Sequence, residues 1–402
     1  MTSATTPAPT RRPDLPSLTG MRAAAAAVVF VGHIGLAGVY AQDQIAFVLR
    51  ALPATFDHGA VSLFFALSGF VLTWSHRDGD TKWAFIRRRL AKILPNHLIT
   101  WTIGLILMLS FADFIGVAKV LPSLFLVHSF IPDLDTVVGT NGPNWSLAAE
   151  LFFYVCFPFL LPTMLRIPPD RLWFWVKVAV GVSFCIPAIS FLLPKGEIYA
   201  DIVPTTRFWF ICFLPVSRMA EFFIGILVAR LVIEGRWKVV STRNTVLISL
   251  GFWVIAAAGS PYLWVAPYLI PIAIYLGNAA SRDQVGDYRR LAQPRWVHLG
   301  QLSFAFYLIH WLVIEYTHRY LFDEAAWSII PATAYTAAVL GISLGLGHLL
   351  FKYVEIPMYN RWAKPRPKGS ATPPTPPAAV HLGGATSPHE DSEDDERPVV
   401  TA

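Results

Sequence analysis

Apolar segments long enough to cross a lipid bilayer recur along this chain and leave few alternatives for its fold. The first of them runs from Met21 to Tyr40. About 20 residues rising ~1.5 Å each span the ~30 Å hydrocarbon core of a membrane. The chain is 54% hydrophobic and only 14% charged, whereas soluble domains contain about 25% charged residues. These values predict an all-α integral membrane protein.

Nine further apolar segments predict about ten transmembrane helices in one multi-pass domain over residues 15–360. A shorter apolar piece, Val120–Phe130, is expected to be re-entrant or interfacial. Residues 1–14 and the Pro-rich, then acidic, tail 361–402 are predicted to be disordered, because their composition cannot form a core. The nine segments lie near 59–75, 95–115, 146–165, 172–193, 207–231, 244–259, 262–279, 299–319 and 326–351.

The loop charges predict the orientation in a cell membrane. An even number of spans places both termini on one side, and most basic loop residues fall on that side, which is therefore cytoplasmic. The net charge of +6 then reflects topology, and no nucleic-acid partner is expected. The terminal side holds Arg11, Arg12, Arg77, Lys82, Arg87, Arg88, Arg89, Lys92, Arg166, Arg171, Arg236, Lys238, Arg243, Arg282, Arg289, Arg290 and Arg295, whereas the opposite loops hold chiefly Arg50, Lys119, Lys195, Arg207 and Arg319.

The first apolar segment carries two ionisable residues, Arg22 near its start and His33 inside it. A separation of 11 residues is close to three helical turns, so the two side chains share a helix face roughly 16 Å apart. An ionisable residue at membrane depth is costly and indicates a functional site. The structural alternative is a histidine that is hydrogen-bonded to a carbonyl of a neighbouring helix.

A basic segment precedes the third span, with Arg87, Arg88, Arg89 and Lys92 within six residues. Such a cluster is typical of a positive-inside anchor or of a patch for anionic lipid. Alternatively it binds phosphate, because the planar arginine fork suits phosphate oxygens. Charge alone does not decide between these interpretations.

Polar side chains recur on other predicted spans. Ser146, Glu150 and Tyr154 follow one helix face, and a carboxylate inside the bilayer needs a partner or a water-filled cavity. Arg218 and Glu221 are three residues apart and are expected to pair structurally. His310, beside Trp311, is expected to be a packing or hydrogen-bonding histidine. The second span is preceded by Asp57-His58-Gly59, and its Ser68-Gly69 step is expected to allow close helix packing, while Glu355 is expected at the cytoplasmic rim.

Seven short motifs in order resemble the acyltransferase-3 family of integral membrane O-acyltransferases. Each is weak alone, but together they run from about residue 15 to residue 360. The matching segments are Leu18–Arg22 with His33, Ser62–Phe70, Phe85–Pro95, Trp145–Tyr154, Arg218–Gly225, Leu299–Trp311 and Val354–Pro357.

The chain departs from the family pattern at three positions. Thr19 and Ser62 stand where acidic residues are usual, and Lys92 replaces an arginine of the basic pair. Lysine keeps the charge but loses bidentate geometry, which is expected to weaken or relax phosphate binding. The resemblance is to the bare membrane domain, without the hydrolase-like extracytoplasmic domain that some members carry.

The resemblance implies transfer of an acyl group from acyl-CoA, a co-substrate, to a hydroxyl of a sugar-containing acceptor. No bound cofactor and no metal are expected. His33 would act as general base or as a transient acyl carrier, since neutral histidine suits either task near pH 7. Glu150 would orient the acceptor or a histidine. The phosphates of acyl-CoA would lie against the cations Arg22, Arg88, Arg89 and Lys92.

Several alternatives remain at this stage. The acceptor could be a cell-envelope polysaccharide, a lipid-linked sugar or a glycosylated secondary metabolite such as a macrolide. A transporter or flippase of a glycan or small molecule would also place ionisable residues inside the membrane. The sequence shows no repeated pair of Gly/Pro-broken spans, which counts against a transporter. A non-catalytic scaffold would not need a histidine inside its first helix.

Overall fold

The computed structural model describes residues 12–41, 43–76, 79–199, 202–258 and 261–362, excluding the side chains of 43–55 and 258. Most of the predicted disordered segments 1–14 and 361–402, together with Arg11, Arg77 and the side chain of Arg50, therefore lie outside the described residues. The helices are α1 (Pro16–Leu36), α2 (Asp43–Trp74), α3 (Lys82–Ser110), α4 (Val117–Leu124), α5 (Leu134–Val138), α6 (Asn144–Leu165), α7 (Leu172–Ser190), α8 (Thr205–Cys212), α9 (Met219–Ile233), α10 (Thr242–Ala258), α11 (Leu269–Gln284), α12 (Pro294–Phe322), α13 (Ile329–Leu350) and α14 (Ile356–Trp362). Two short antiparallel strands, β1 (Ile198–Tyr199) and β2 (Val203–Pro204), pair with each other.

Eight helical segments in the described part of the chain are long and apolar enough to cross a membrane. This confirms an all-α membrane protein. The predicted count of ten and the side of the termini stay predictions. The eight segments are Pro16–Leu36, Phe56–Trp74, Lys82–Ser110, Asn144–Leu165, Pro169–Ser190, Pro261–Gln284, Pro294–Phe322 and Ile329–Trp362.

The difference from ten lies in the predicted segments 207–231 and 244–259. The first is divided between α8 and α9, with Pro215 in the intervening turn. A proline lacks a backbone N–H and clashes with the preceding helical turn, so a continuous helix is disfavoured there. The second segment forms α10, whose 17 residues are apolar but short. The piece Val120–Phe130 forms the last part of α4 and a single 3₁₀ turn, so it does not form a spanning helix.

Helix α9 is the most enclosed helix of the bundle and packs closely on α2. A side chain at Gly225 would place its Cβ 1.9 Å from the Ala66 carbonyl oxygen, and one at Gly69 would lie 2.1 Å from the Phe222 carbonyl oxygen. Only hydrogen fits at these two positions, so the glycines let the two backbones touch. The predicted close packing at Ser68-Gly69 is confirmed.

The predicted pair of Arg218 and Glu221 forms at the start of α9. Arg218 Nε donates to Glu221 Oε1 at 2.6 Å, and both side chains are fully buried. The two remaining guanidinium nitrogens donate to the Cys212 carbonyl at 2.6 Å and to Ser62 Oγ at 3.0 Å. Ser62 in turn donates to Glu221. A buried charge needs hydrogen-bonding partners of this kind, so this network is a structural element of the bundle.

Helix α1 packs between α2 and α12. The contact with α12 is close at Gly300, where a Cβ would lie 1.9 Å from the Thr19 carbonyl oxygen. Nearly three turns further along α12, His310 faces His33 of α1. The packing of these two helices therefore positions the histidine that the sequence analysis selected.

Candidate active site

The centre of the site is a pair of histidines on α1 and α12. His33 Nδ1 and His310 Nε2 are 2.7 Å apart, which is a hydrogen bond between the two rings. His310 is completely buried, whereas the His33 side chain retains 13% exposure. Trp311 packs its ring edge against His33 with 4.9 Å between ring centroids. The expectation that His310 is a hydrogen-bonding histidine is confirmed, and its partner is the candidate base itself.

The hydrogen bonds of His310 assign a tautomer to both rings. His310 Nδ1 lies 2.7 Å from the Tyr307 carbonyl oxygen and 3.3 Å from that of Phe306. A carbonyl only accepts, so this nitrogen carries the proton, and the Nε2 atom of a neutral ring is then an acceptor. His33 Nδ1 therefore donates to His310, which leaves the lone pair of a neutral His33 on Nε2.

His33 Nε2 faces the carboxylate of Asp57, at the start of the span Phe56–Trp74. The distance from Nε2 to Asp57 Oδ2 is 3.9 Å, and the Asp57 side chain is 24% exposed. Neither side chain is fully enclosed by the protein, since 13% of His33 and 24% of Asp57 remain exposed. The sequence assigns Asp57 no role, and its position immediately before the second span is the only sequence feature that marks it.

The loop that precedes α6 lies beside the histidine pair. Asn141 donates to the Leu308 carbonyl at 2.7 Å, and Tyr307 OH lies 3.2 Å from the Pro143 carbonyl. Ser146 Oγ and Tyr307 OH are 2.7 Å apart. These bonds fix the loop to the turn of α12 that carries His310, so the histidine pair is held by three elements of the bundle.

Arg22 lies near the start of α1, about three turns before His33, and both side chains face α12. Its Nε donates to Ser303 Oγ at 3.3 Å, and Ser303 is two turns from His310 on α12. The predicted common face of Arg22 and His33 is therefore confirmed. The Phe64 ring lies under the Arg22 guanidinium, with 5.9 Å between the ring centroid and Arg22 Cζ. Phe64 also contacts Tyr307, with 6.1 Å between the two ring centroids. An aromatic surface thus runs from Arg22 towards the histidine pair.

A mixed cluster of charges forms where α3 meets the other helices. The partly buried Lys92 ammonium interacts electrostatically with Arg22, Arg89, Glu150 and Glu355. Glu355 lies on a π-helical turn, Phe351–Glu355, and accepts a 3.0 Å hydrogen bond from Asn96. Three cations against two carboxylates leave a net positive charge. The structure thus brings together Arg22, Arg89 and Lys92, three of the four cations that the sequence analysis selected.

Arg88 has a different environment. Its guanidinium donates both NH groups to the carboxylate of Asp80 on an exposed part of the surface. Arg89 lies over the rings of Phe85 and Tyr154, with Cζ 5.3 Å and 5.8 Å from the two centroids. The buried Arg89 Nε has no hydrogen-bond partner among the described residues. Arg89 is thus available to a ligand in a way that Arg88 is not.

Glu150 lies on α6 next to this cluster. One carboxylate oxygen, Oε1, accepts a hydrogen bond from Ser68 at 2.6 Å and another from Tyr154 OH. Its hydrogen-bond partners are therefore two hydroxyl groups, and it interacts electrostatically with Lys92. The predicted catalytic role of Glu150 stays a prediction, as do the roles of His33 and of the cations.

Comparisons with known proteins agree with the motifs. The family model of an acyltransferase domain matches residues 15–348. Acyltransferase MdmB from Streptomyces mycarofaciens is 36% identical over 376 residues, which cover 91% of this chain and 97% of that protein. No solved structure matches. The chain belongs to the acyltransferase-3 family.

Proposed function

We propose that the protein transfers an acyl group from acyl-CoA to a hydroxyl of a sugar-containing acceptor at the cell membrane. The acceptor is a cell-envelope glycan or a glycosylated secondary metabolite such as a macrolide. Family membership supports acyl transfer. The observation that carries the proposal is the histidine pair, in which His33 Nε2 is unprotonated, partly exposed and backed by a hydrogen-bonded partner.

This arrangement supports His33 as a general base. A hydroxyl becomes an effective nucleophile when a base removes its proton in the transition state, and neutral imidazole suits that task. His310 assists because it fixes the His33 ring and holds its other proton on Nδ1. This is the arrangement by which a second group orients a catalytic histidine in hydrolases.

In the proposed reaction, His33 carries one proton from the acceptor hydroxyl to the leaving thiolate. His33 Nε2 takes the acceptor's proton as the hydroxyl oxygen attacks the thioester carbonyl carbon. The C–O bond forms and the C–S bond breaks. The proton then passes from His33 to the departing thiolate, so the products are the ester and free CoA, and His33 is neutral again.

The cluster of charges around Lys92 supports a binding position for the phosphates of acyl-CoA. Arg22, Arg89 and Lys92 would bind the phosphates of acyl-CoA, because charge-assisted contacts from these side chains are strong and Arg binds two oxygens at once. Arg88 would contribute less, since Asp80 already holds its guanidinium. The thioester arm would then pass along Phe64 and Tyr307 to reach His33, and Glu150 would hold Tyr154 beneath Arg89.

The test is an acyl-transfer assay with the purified protein in lipid nanodiscs. Radiolabelled acetyl-CoA is the donor, and the acceptors are methyl glycosides of glucose, mannose and rhamnose. We expect His33→Ala to insert normally, to bind acetyl-CoA and to lose about 10²- to 10⁴-fold in rate, as is typical when a general base is removed. His298→Ala, an exposed histidine on α12, is the matched control. Equal rates in wild type and His33→Ala, or no transfer to any glycoside, would contradict the proposal.

A further inference from the structure

Within the part of the chain that the structure describes, no group donates a hydrogen bond to the carboxylate of Asp57, although it lies beside the candidate base. Its Oδ1 atom is buried without a hydrogen-bond partner. The Oδ2 atom has His33 Nε2 at 3.9 Å, which is too long for a direct hydrogen bond. A carboxylate accepts hydrogen bonds and cannot donate when ionised. Polar groups in a protein interior are normally hydrogen-bonded, so a carboxylate with no donor to either oxygen among the described residues indicates a missing donor.

Two groups that interact electrostatically with Asp57, Arg218 and Tyr307, have other hydrogen-bond partners. Arg218 is within electrostatic range of Asp57. However, its three guanidinium nitrogens are already directed at Glu221, Cys212 and Ser62. Tyr307, also in electrostatic range, directs its hydroxyl to Ser146 and Pro143. The hydrogen-bonding groups of Arg218 and Tyr307 are thus directed at other residues.

The geometry points to the acceptor as the missing donor. We propose that Asp57 binds the acceptor through a hydroxyl next to the one that His33 deprotonates. The reacting hydroxyl has one proton, and it gives that proton to His33 Nε2, so it has none for Asp57. A second hydroxyl on the adjacent carbon can donate to Asp57 Oδ2 while the first faces Nε2, because the two protein atoms are only 3.9 Å apart.

This assignment restricts the class of acceptor. A glycoside with two neighbouring free hydroxyls satisfies both His33 and Asp57, whereas an isolated alcohol satisfies only His33. The inference rests on the proposed function and adds a requirement for a vicinal diol. It also gives the enzyme a means of choosing which hydroxyl of a sugar is acylated.

The experiment compares Asp57→Asn with wild type on the methyl glycoside that wild type acetylates fastest, and on its monodeoxy analogues. Asn keeps the shape but loses the charge. A hydrogen bond to a charged group is worth a factor of about 10 to 100, so the KM for the glycoside should rise by that factor while the KM for acetyl-CoA stays constant. Removal of the adjacent hydroxyl should cost wild type a similar factor and should cost Asp57→Asn almost nothing further.

Asp113→Asn is the control, since this carboxylate is bound by Arg319 and Tyr320 instead of facing His33. A fall in kcat with unchanged glycoside KM, or additive effects of the mutation and the deoxy substrate, would overturn the inference. If Asp57→Asn does not accumulate in the membrane, the KM values of the deoxy glycosides are measured with wild type and with Asp57→Glu instead. An unchanged KM after removal of each neighbouring hydroxyl would also overturn the inference. Activity in wild type without a diol requirement refutes this inference alone, whereas wild-type rates equal to those of His33→Ala refute the proposed function.

Discussion

The imidazole rings of His33 and His310 are parallel to within 3°, and their facing nitrogens are 2.7 Å apart. The rings come from helices that are far apart in sequence. His310 is in turn bonded to the backbone of its own helix, so the pair links a carbonyl, a buried ring and a partly exposed ring in series. Such a chain fixes the tautomer of the exposed ring, which is the property that a general base requires.

We predict that His310→Leu lowers kcat by about 10- to 100-fold and leaves the KM values nearly unchanged. Leucine has similar bulk but cannot accept the proton of His33 Nδ1, and one such hydrogen bond to a group that becomes charged is worth that factor. Steady-state kinetics with both substrates measures it. A rate within twofold of wild type, for a variant that inserts normally, would show that His310 serves packing alone.

We also predict different effects for two neighbouring arginines. Arg89→Ala should raise the KM for acetyl-CoA about 10- to 100-fold, because it removes a charge-assisted contact to phosphate. Arg88→Ala is the matched control and should change this KM little, because its guanidinium is paired with Asp80. Acetyl-pantetheine, which lacks the nucleotide phosphates, should be used equally well by wild type and Arg89→Ala. An equal loss with both donors would place Arg89 outside the phosphate site.

Helix packing provides a third prediction. Gly225→Ala should destabilise the protein by about 1–3 kcal/mol, because the new Cβ would overlap the Ala66 carbonyl at 1.9 Å. Gly251→Ala on α10 meets no atom within 4 Å and should be neutral or stabilising, since alanine favours helix more than glycine does. The midpoints of thermal unfolding in detergent measure both changes. Similar midpoints for the two variants would mean that α2 and α9 can separate at little cost.

The sequence predicted the parts of the fold that depend on composition and helical period. The length of the apolar segments predicts a membrane protein. The separation of 11 residues between Arg22 and His33 predicts that they share one face of α1, which their contacts with Ser303 and His310 confirm. The spacing of Arg218 and Glu221 gave their ion pair. Each of these relationships lies within one helix, where periodicity determines which side chains are neighbours.

Relationships between helices were not predictable in the same way. The pairing of His33 with His310, the position of Asp57 and the separation of Arg88 from Arg89 depend on which helices pack together and at what depth. No local pattern specifies these. The segment 207–231 is apolar throughout and therefore predicts one span, whereas the structure divides it between α8 and α9 with Pro215 in the turn.

The two ends of α7 are expected to lie on opposite sides of the membrane. Arg230 on α9 donates to the carbonyls of Met164 and Ile167, and Trp237 stacks on Trp173, so the end of α9 meets the start of α7. The exposed loop at Lys195 follows the other end of α7. Reporters fused at Gly235 and at Lys195 should therefore lie on opposite sides of the membrane.

The basic residues of the loops indicate which end of α7 is cytoplasmic. The end near Gly235 gathers the basic residues Arg236 and Lys238 next to the loop that holds Arg166 and Arg171. Positively charged loops are retained in the cytoplasm, so a phosphatase fused at Gly235 should be inactive and one fused at Lys195 active. The reverse pattern would place the termini outside, and equal activity at both sites would mean that α7 does not cross the membrane.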